Sequence, residues 1–342
     1  ARPISSRRMT PVRFGIIACS SVARRRFLPA LLTSKQAQLV HVGSRDPAKA
    51  AQCAQEFSGG KSGDYDVVLA NPAVEAVYIS TPPSLHEEWV RKAVAKGKHV
   101  LCEKPAFGDF QTAVALVEHC RSTGVRLAEG YSFRWHPQHA AVRSIMEQGR
   151  IGQPRFFSAE FTYPRPPEHD IRLNPQLDGG VFRDSAGYPV AAALLQMPGR
   201  PVSVFCQLGQ DRATGVDDAF ALWLRFEQGA TAQMLVAFGA HYRSRYAITG
   251  TQGRIEVERA FSVGPQLKTS LALETESGPE RFEIDPEDQF RLMLDDFSAQ
   301  IRDADDQRRN FEADLLRQHA VMDAAARSRR EGRVIALSDY QL

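Results

Sequence analysis

The chain has 342 residues, with 43 basic and 40 acidic side chains, a net charge of +3, 43% hydrophobic and 24% charged content. That is the profile of a soluble globular protein of two domains. It has no basic excess for nucleic acid and no apolar run long enough to span a membrane. Residues 1–10 are polar and lack the apolar core of a secretory signal, so Met9 is the expected natural start and the residues before it a disordered arm. The five cysteines (Cys19, Cys53, Cys102, Cys120, Cys206) are odd in number and scattered, without CxxC spacing. They read as reduced thiols of a cytoplasmic protein, not as disulfides or a metal site.

Val12–Ile17 predicts a short apolar strand, with a turn over residues 18–23 and a helix from Arg24 to Leu32 that puts Phe27, Leu28, Leu31 and Leu32 on one face. A second strand covers residues 39–42, and Asp46-Pro47 opens a helix with Asp46 as N-cap. Residues 74–80 form the next strand, and Ser84 with Glu87 spells a capping box for the helix after it. The apolar run His99–Cys102 then delivers Glu103-Lys104-Pro105, followed by a helix over 109–123 and a strand over 125–129. Strands alternating with helices at this spacing imply a parallel sheet covered on both faces. A lysine at the C-terminal end of such a strand points into the crevice where these sheets bind ligands.

After about residue 150 the pattern changes. Residues 201–206, 218–226, 230–238 and 243–249 predict longer strands, with turns at Glu227-Gln228-Gly229 and Gly250-Thr251-Gln252-Gly253. These belong to an open, mostly antiparallel sheet. One helix over 181–196 interrupts them, and two more close the chain, the first with Phe290, Met293, Leu294, Phe297 and Ile301 in one stripe. The expected division is a dinucleotide-binding domain over 10–130 and a substrate-binding and oligomerisation domain over 131–342, with the final helices packing back on the first.

Ala18, Ser20 and Ala23 stand where a G-x-G-x-x-G/A dinucleotide fingerprint places its glycines. Ala and Ser are the smallest replacements, and the Ser20 hydroxyl can bond a phosphate. The competing reading is an ordinary strand-to-helix turn that binds nothing. Ser44-Arg45 occupies the place where NAD enzymes carry a carboxylate for the adenosine ribose. Serine can bond a 2′-phosphate and arginine can cap it with paired donors, which favours NADP over NAD; the competing reading is a solvated surface arginine. Arg24, Arg25 and Arg26 either add positive field near the phosphates or mark an exposed helix start. Thr81-Pro82-Pro83 gives a rigid turn bordering the dinucleotide or a plain helix entry.

Taken in order, the first turn, Ser44-Arg45, the run Thr81 to His86, Glu103-Lys104-Pro105, Asp170-Ile171-Arg172, Gly179 to Pro189 and Gly250 to Gly253 resemble the Gfo/Idh/MocA family over nearly the whole chain. Tyr188-Pro189 and Trp135-His136-Pro137-Gln138-His139 look most like the NADP-dependent sugar 3-ketoreductases of deoxysugar biosynthesis. Departures are the missing glycines at Ala18 and Ser20, and the pair Ser185-Ala186 where many members have one residue before glycine. The resemblance implies a Rossmann domain followed by an α/β domain with an open sheet, NADP(H) as cofactor, and a sugar or sugar nucleotide as substrate. It matches Lys104 and Tyr188 to the family's catalytic pair. The cofactor site is expected to draw on Ala18, Ser20, Ser21, Val22, Ser44, Arg45, Thr81, Pro82, Pro83, His86, Glu103, Lys104 and Glu129.

Tyr188 is the expected proton donor to a carbonyl oxygen. A free phenol titrates near about 10, and the Lys104 ammonium would draw that value down. Asp184, four residues before Tyr188, is expected on the same helical face, there to bond a sugar hydroxyl or orient Lys104. Asp170 and Arg172 fall in an irregular stretch bordering the pocket, and Tyr131, Phe133 and Trp135 alternate along an extended segment that suits a sugar-facing wall or an ordinary core. His136 and His139 read as pocket-lining or capping groups; further metal ligands are missing, so no metal is expected. An aldose or trans-dihydrodiol dehydrogenase, a nicotinamide-using glycosidase and a sensor without turnover are the rival readings. Large side chains on both faces of 220–226 predict a homodimer, or a dimer of dimers, across the uncovered sheet face.

Overall fold

The computed structural model describes residues 10–177, 179–303 and 308–340; the expected arm before Met9 lies outside them. The chain divides into two compact units. The first ends at Gly130 and takes back Phe290–Glu312; the second runs Tyr131–Gln289 and resumes at Ala313.

The first unit is built on six strands: β1 (Val12–Ile17), β2 (Ala37–Gly43), β3 (Lys61–Gly63), β4 (Ala76–Ile79), β5 (His99–Cys102) and β6 (Leu127–Glu129). They pair in the order β3-β2-β1-β4-β5-β6, and every pair is parallel. That is the doubly wound order whose direction reverses between β1 and β4, which puts a ligand crevice at the C-terminal ends of those strands. The strands are apolar on both sides because helices cover both faces; Phe14, Ile16 and Ile17 are fully buried, as are Val100 and Leu101.

The helices α1 (Leu28–Thr33), α2 (Pro47–Glu56), α3 (Tyr65–Ala70), α4 (His86–Ala95) and α5 (Phe110–Thr123) connect these strands. Asp46 caps α2 as expected, accepting from Ala48 N at 2.9 Å and Lys49 N at 3.3 Å. A π-helical turn, Ala23–Phe27, runs directly into α1. The capping box is a correction. Pro83–Leu85 winds into a 3-10 turn, α4 begins only at His86, and its start has no side-chain cap. Glu87 pairs outward with Arg91 at 2.8 Å instead.

The second unit holds α6 (Pro137–Glu147), β7 (Pro154–Tyr163), α7 (Val181–Asp184), α8 (Gly187–Gln196), β8 (Pro201–Gln210), β9 (Asp217–Phe226), β10 (Thr231–Phe238), β11 (Arg243–Gly250), β12 (Gly253–Val257), β13 (Thr269–Thr275), β14 (Gly278–Ile284) and β15 (Ile335–Ala336). The sheet order is β14-β13-β12-β11-β7-β10-β9-β8-β15. It is antiparallel throughout except where β7 and β10 run parallel. Helix α8 packs on β7 and β10, and its run Ala191-Ala192-Ala193, fully buried, lets the helix come close to the sheet.

The helix expected over 181–196 is two helices, broken at Ser185-Ala186. Ser185 leaves the helical path because its hydroxyl is held by Tyr163 Oη at 2.9 Å and donates to Asp184 Oδ2 at 2.9 Å. The extended segment expected over 131–135 is also corrected, since Ser132–Trp135 forms a 3-10 turn. The closing helices are α9 (Gln289–Arg302) and α10 (Phe311–Glu331). Met293, Leu294 and Phe297 of the expected stripe are fully buried. Glu312, at the head of α10, locks onto the first sheet, accepting from Leu127 N and Arg126 Nε, each at 3.1 Å. No described helix is long and apolar enough to cross a membrane.

Candidate active site

In the first unit the site residues gather at the C-terminal ends of β1, β2, β4, β5 and β6. Ala18, just past β1, has φ +82°, the left-handed region in which an L side chain is strained. The turn therefore keeps the backbone path of a glycine turn without the glycine. Ser20 Oγ accepts from Ala23 N at 3.1 Å and donates to Ser80 Oγ at 2.8 Å, and Ser80 Oγ donates to the Ala18 carbonyl at 3.0 Å. The Ser20 hydroxyl proton is thus spent within the turn. A phosphate here would be met by backbone N–H groups at the helix entry, beside Ser21 and Val22. Ala18→Gly relieves this strain and should raise stability by about 1 kcal/mol. Urea unfolding checks this, and an unchanged or lower midpoint contradicts it.

Ser44 is buried at the end of β2, and its Oγ accepts from Asp46 N at 3.2 Å. Arg45 is exposed beside the Tyr65 hydroxyl, with no carboxylate paired to it among the described residues. Arg24 is committed to an ion pair with Glu56. Thr81 is buried while Pro82 and Pro83 are exposed.

The Glu103-Lys104-Pro105 turn is tied from beneath. Glu103 is buried and accepts from Tyr78 Oη at 2.6 Å and from Lys104 N at 3.3 Å. Burial raises its carboxyl above the usual range, against the pull of the Tyr78 bond. The Lys104-Pro105 peptide is cis. His86 sits under it, its ring nitrogens 2.9 Å from the carbonyl oxygens of Pro105 and Thr81. Glu103 and His86 therefore act as supports that fix the lysine turn, while Lys104 itself is half-buried at the crevice. Thr81 Oγ1 and Glu129 Oε2 are buried without hydrogen-bond partners among the described residues. Such orphans are costly unless a ligand answers them, and they lie at the ends of β4 and β6, where this topology carries its dinucleotide. The residues present fit that group.

In the second unit Tyr188 stands in the first turn of α8, half-buried in an aromatic cage. Tyr131 meets it edge-on at 5.3 Å and Phe161 at 5.4 Å, with Phe133 at 5.9 Å and Phe261 at 6.0 Å. Gly187 makes this possible, because a Cβ there would lie 1.8 Å from Tyr131 Oη. Asp184 closes α7 and so does not share a helix with Tyr188; the expected common face is corrected by the break between them. Its Oδ2 accepts from Arg172 Nε at 2.8 Å and Tyr163 Oη at 3.3 Å. Asp170 caps the 3-10 turn Ile171–Leu173 and pairs with Arg172 Nη1 at 3.1 Å. Arg172 is thereby held between two carboxylates.

Tyr163, at the end of β7, belongs to this cluster and was not singled out from the sequence; a tyrosine closing an alternating strand was its only signal. Burial and the Asp184 charge push its phenol upward, so it stays a neutral donor.

His136 caps α6, its Nδ1 accepting from Gln138 N at 3.4 Å, while its Nε2 has no partner among the described residues. Burial lowers it to about 4, which keeps the imidazole neutral and unsuited to proton donation near pH 7. His139 is buried between Tyr246 Oη at 2.9 Å and the Ala260 carbonyl at 3.1 Å, a packing role. Trp135 is half-exposed at the end of its 3-10 turn. Among the described residues no group of His, Cys, Asp or Glu is placed to hold a metal.

Two family models match in succession: the oxidoreductase family with an NAD-binding Rossmann fold over residues 12–131, and the GFO/IDH/MocA C-terminal domain over 139–256. The chain belongs to the Gfo/Idh/MocA family of oxidoreductases. A dTDP-3,4-didehydro-2,6-dideoxy-α-D-glucose 3-reductase from Saccharopolyspora spinosa is 36% identical over 292 residues, covering 85% of this chain and 88% of that one. A D-xylose 1-dehydrogenase (NADP+) from Haloferax volcanii is 32% identical, covering 84% and 88%. KijD10, a 3-ketoreductase from Actinomadura kijaniata solved with NADP and TDP-benzene, superposes with a TM-score of 0.87 at 32% identity, over 94% of this chain and 98% of that chain.

Proposed function

We propose that this family member is an NADP(H)-dependent reductase of a ketone on a nucleotide-linked sugar, with Tyr188 as proton donor and Lys104 assisting. The observations that carry this reading are the lysine turn of the first unit and the caged tyrosine of the second. Lys104 follows β5 on a turn braced by Glu103 and His86, and Tyr188 opens α8 inside a cage of rings. KijD10 has also been solved with a lysine replaced and with a tyrosine replaced, and those two positions are as far apart in its sequence as Lys104 and Tyr188 are here.

A bound nicotinamide supplies the hydride. Arg45 and Ser44 would hold the adenosine 2′-phosphate, and Thr81 and Glu129 would offer their unpartnered oxygens to the cofactor. Tyr188 gives its proton to the carbonyl oxygen as charge develops there, and the Lys104 ammonium stabilises the phenolate left behind. Asp184, fixed by Arg172 and Tyr163, bonds a sugar hydroxyl. Incubating the protein with NADPH and a panel of nucleotide-linked ketosugars, free ketosugars and aldoses tests the reading. Oxidation of NADPH with only the nucleotide-linked ketones is expected; turnover restricted to free aldoses with NADP+ would favour the dehydrogenase instead.

We also propose that the protein is a homodimer across the sheet face away from α8. That face is not uniformly apolar, as the sequence led us to expect. Trp223 is 48% exposed and Leu235 43%, beside Arg245, which pairs with Glu160 at 2.8 Å and Glu256 at 3.0 Å. A second copy would cover the two apolar side chains. Light scattering should give twice the chain mass for the wild type and the monomer mass for Trp223→Glu. A monomeric wild type at micromolar concentration contradicts the assignment.

A further inference from the structure

Arg172 is the cation at the centre of the polar cluster in the second unit. Its Nε donates to Asp184 Oδ2 at 2.8 Å and its Nη1 to Asp170 Oδ2 at 3.1 Å. A guanidinium grips an incoming carboxylate or phosphate with a fork of two parallel N–H bonds, either Nε with Nη2 or Nη1 with Nη2. Here each fork has one member already committed to a carboxylate of the protein itself.

The loop that carries Arg172 is folded back on itself. The Arg172 carbonyl accepts from Gly180 N at 2.9 Å, and the Asn174 carbonyl accepts from Gly179 N at 3.0 Å. A Cβ on Gly179 would stand 2.7 Å from the Arg172 carbonyl oxygen, so this close return needs a residue without a side chain. The side chains of Arg172, Asp170 and Asp184 stay open to solvent at 42%, 23% and 27%. The cluster is thus fixed in place and still within reach of a ligand.

The two oxygens of Asp170 do separate things. Oδ1 accepts from Arg172 N at 3.0 Å and caps the 3-10 turn Ile171–Leu173. That role needs only an acceptor, which an asparagine also supplies. Oδ2 takes the guanidinium, although Asp184 alone would balance Arg172 charge for charge. The result is two carboxylates around one cation, with the neutral hydroxyls of Tyr163 and Ser185 beside them. An excess carboxylate repels an anion, whereas carboxylates and hydroxyls together suit the hydroxyl groups of an uncharged ring.

We propose that Asp170 is a specificity-determining residue. By occupying Arg172 and leaving the cluster one carboxylate in excess, it reserves this subsite for an uncharged sugar ring and refuses a ring that carries a carboxylate or a phosphate. This rests on the reading of the protein as a sugar-nucleotide reductase and concerns the ring alone, since the charge of a diphosphate lies outside it.

The test is calorimetric titration of uridine diphosphate glucose and uridine diphosphate glucuronate into the wild type, Asp170→Asn and Asp170→Asn/Arg172→Gln, each loaded with NADP+. The wild type should bind the glucose form more tightly than the glucuronate form by about tenfold, a modest factor because Arg172 is partly exposed. Asp170→Asn keeps the cap and should melt like the wild type. It should gain affinity for the glucuronate by about the same factor, with its affinity for the glucose form and for NADPH unchanged. The double variant should lose that gain, because the guanidinium that makes it is gone. Equal binding of the two ligands by the wild type overturns the inference, as does binding of neither. An Asp170→Asn protein that still refuses the glucuronate, or a gain that survives in the double variant, also overturns it. A wild type that reduces nucleotide-linked ketones with NADPH but binds both ligands equally loses the inference and keeps the reaction. Discrimination that depends on Asp170 in a protein that reduces no ketone supports the inference and sinks the proposed reaction.

Discussion

Tyr188→Phe should fold, bind cofactor and lose nearly all turnover. Phenylalanine keeps the ring contacts to Tyr131, Phe133, Phe161 and Phe261, so circular dichroism and melting should match the wild type. What goes is the proton donor, and general acid catalysis contributes about 10²–10⁴-fold. Lys104→Ala should cost a comparable factor in kcat and also weaken cofactor binding, because Lys104 is expected to touch both cofactor and substrate. The two losses should not add, since Lys104 acts partly through the phenol of Tyr188. A double mutant no slower than the slower single mutant is the expected result. Full additivity would mean two independent roles, and a Tyr188→Phe protein with near-normal kcat would remove Tyr188 from the mechanism. His136, neutral and buried in its cap position, would be a poor replacement.

Arg45→Ala should separate the two nicotinamide cofactors. Arg45 is exposed at the end of β2 without a carboxylate partner among the described residues, so its guanidinium is available to a 2′-phosphate. A hydrogen bond to a charged group is worth roughly 1.5–3 kcal/mol, which converts to about tenfold or more in affinity. The Kd for NADPH should rise by that factor in the variant while the Kd for NADH stays put, and the kcat/KM ratio of the two cofactors should fall accordingly. Equal use of both cofactors by the wild type, unchanged in the variant, would refute the preference.

The parallel sheet was legible because its central strands are buried on both faces and spell continuous apolar runs, as in Phe14 to Ile17 and Val100 to Cys102. Asp46-Pro47 was legible because an N-cap is a local contact. The elements that escaped depend on distant partners. β7 alternates in burial along its ten residues, but it is placed by distant strands, β10 and β11, on its two sides. β13 and β14 form an outer hairpin with many half-exposed polar residues, so their apolar signal is thin. The break between α7 and α8 has neither glycine nor proline at Ser185-Ala186; it exists because Tyr163, in another strand, holds the Ser185 hydroxyl. The cage around Tyr188 draws on positions 131, 133, 161 and 261, a convergence that no local pattern announces. Thr81 and Glu129 could be named from their strand ends, but that each keeps an unanswered buried oxygen is visible only in three dimensions.

The most direct test of the account is the fate of the transferred hydrogen. NADPH carrying deuterium at C4 on the transferring face should be incubated with the wild type and a nucleotide-linked ketosugar, and the product examined by mass spectrometry and NMR. The account predicts one deuterium per product molecule, on the carbon that was the carbonyl, with one NADPH consumed for each ketone reduced and almost none in Tyr188→Phe over the same time. Product without deuterium, or cleavage of a glycosidic bond with the cofactor returned unchanged, would contradict it.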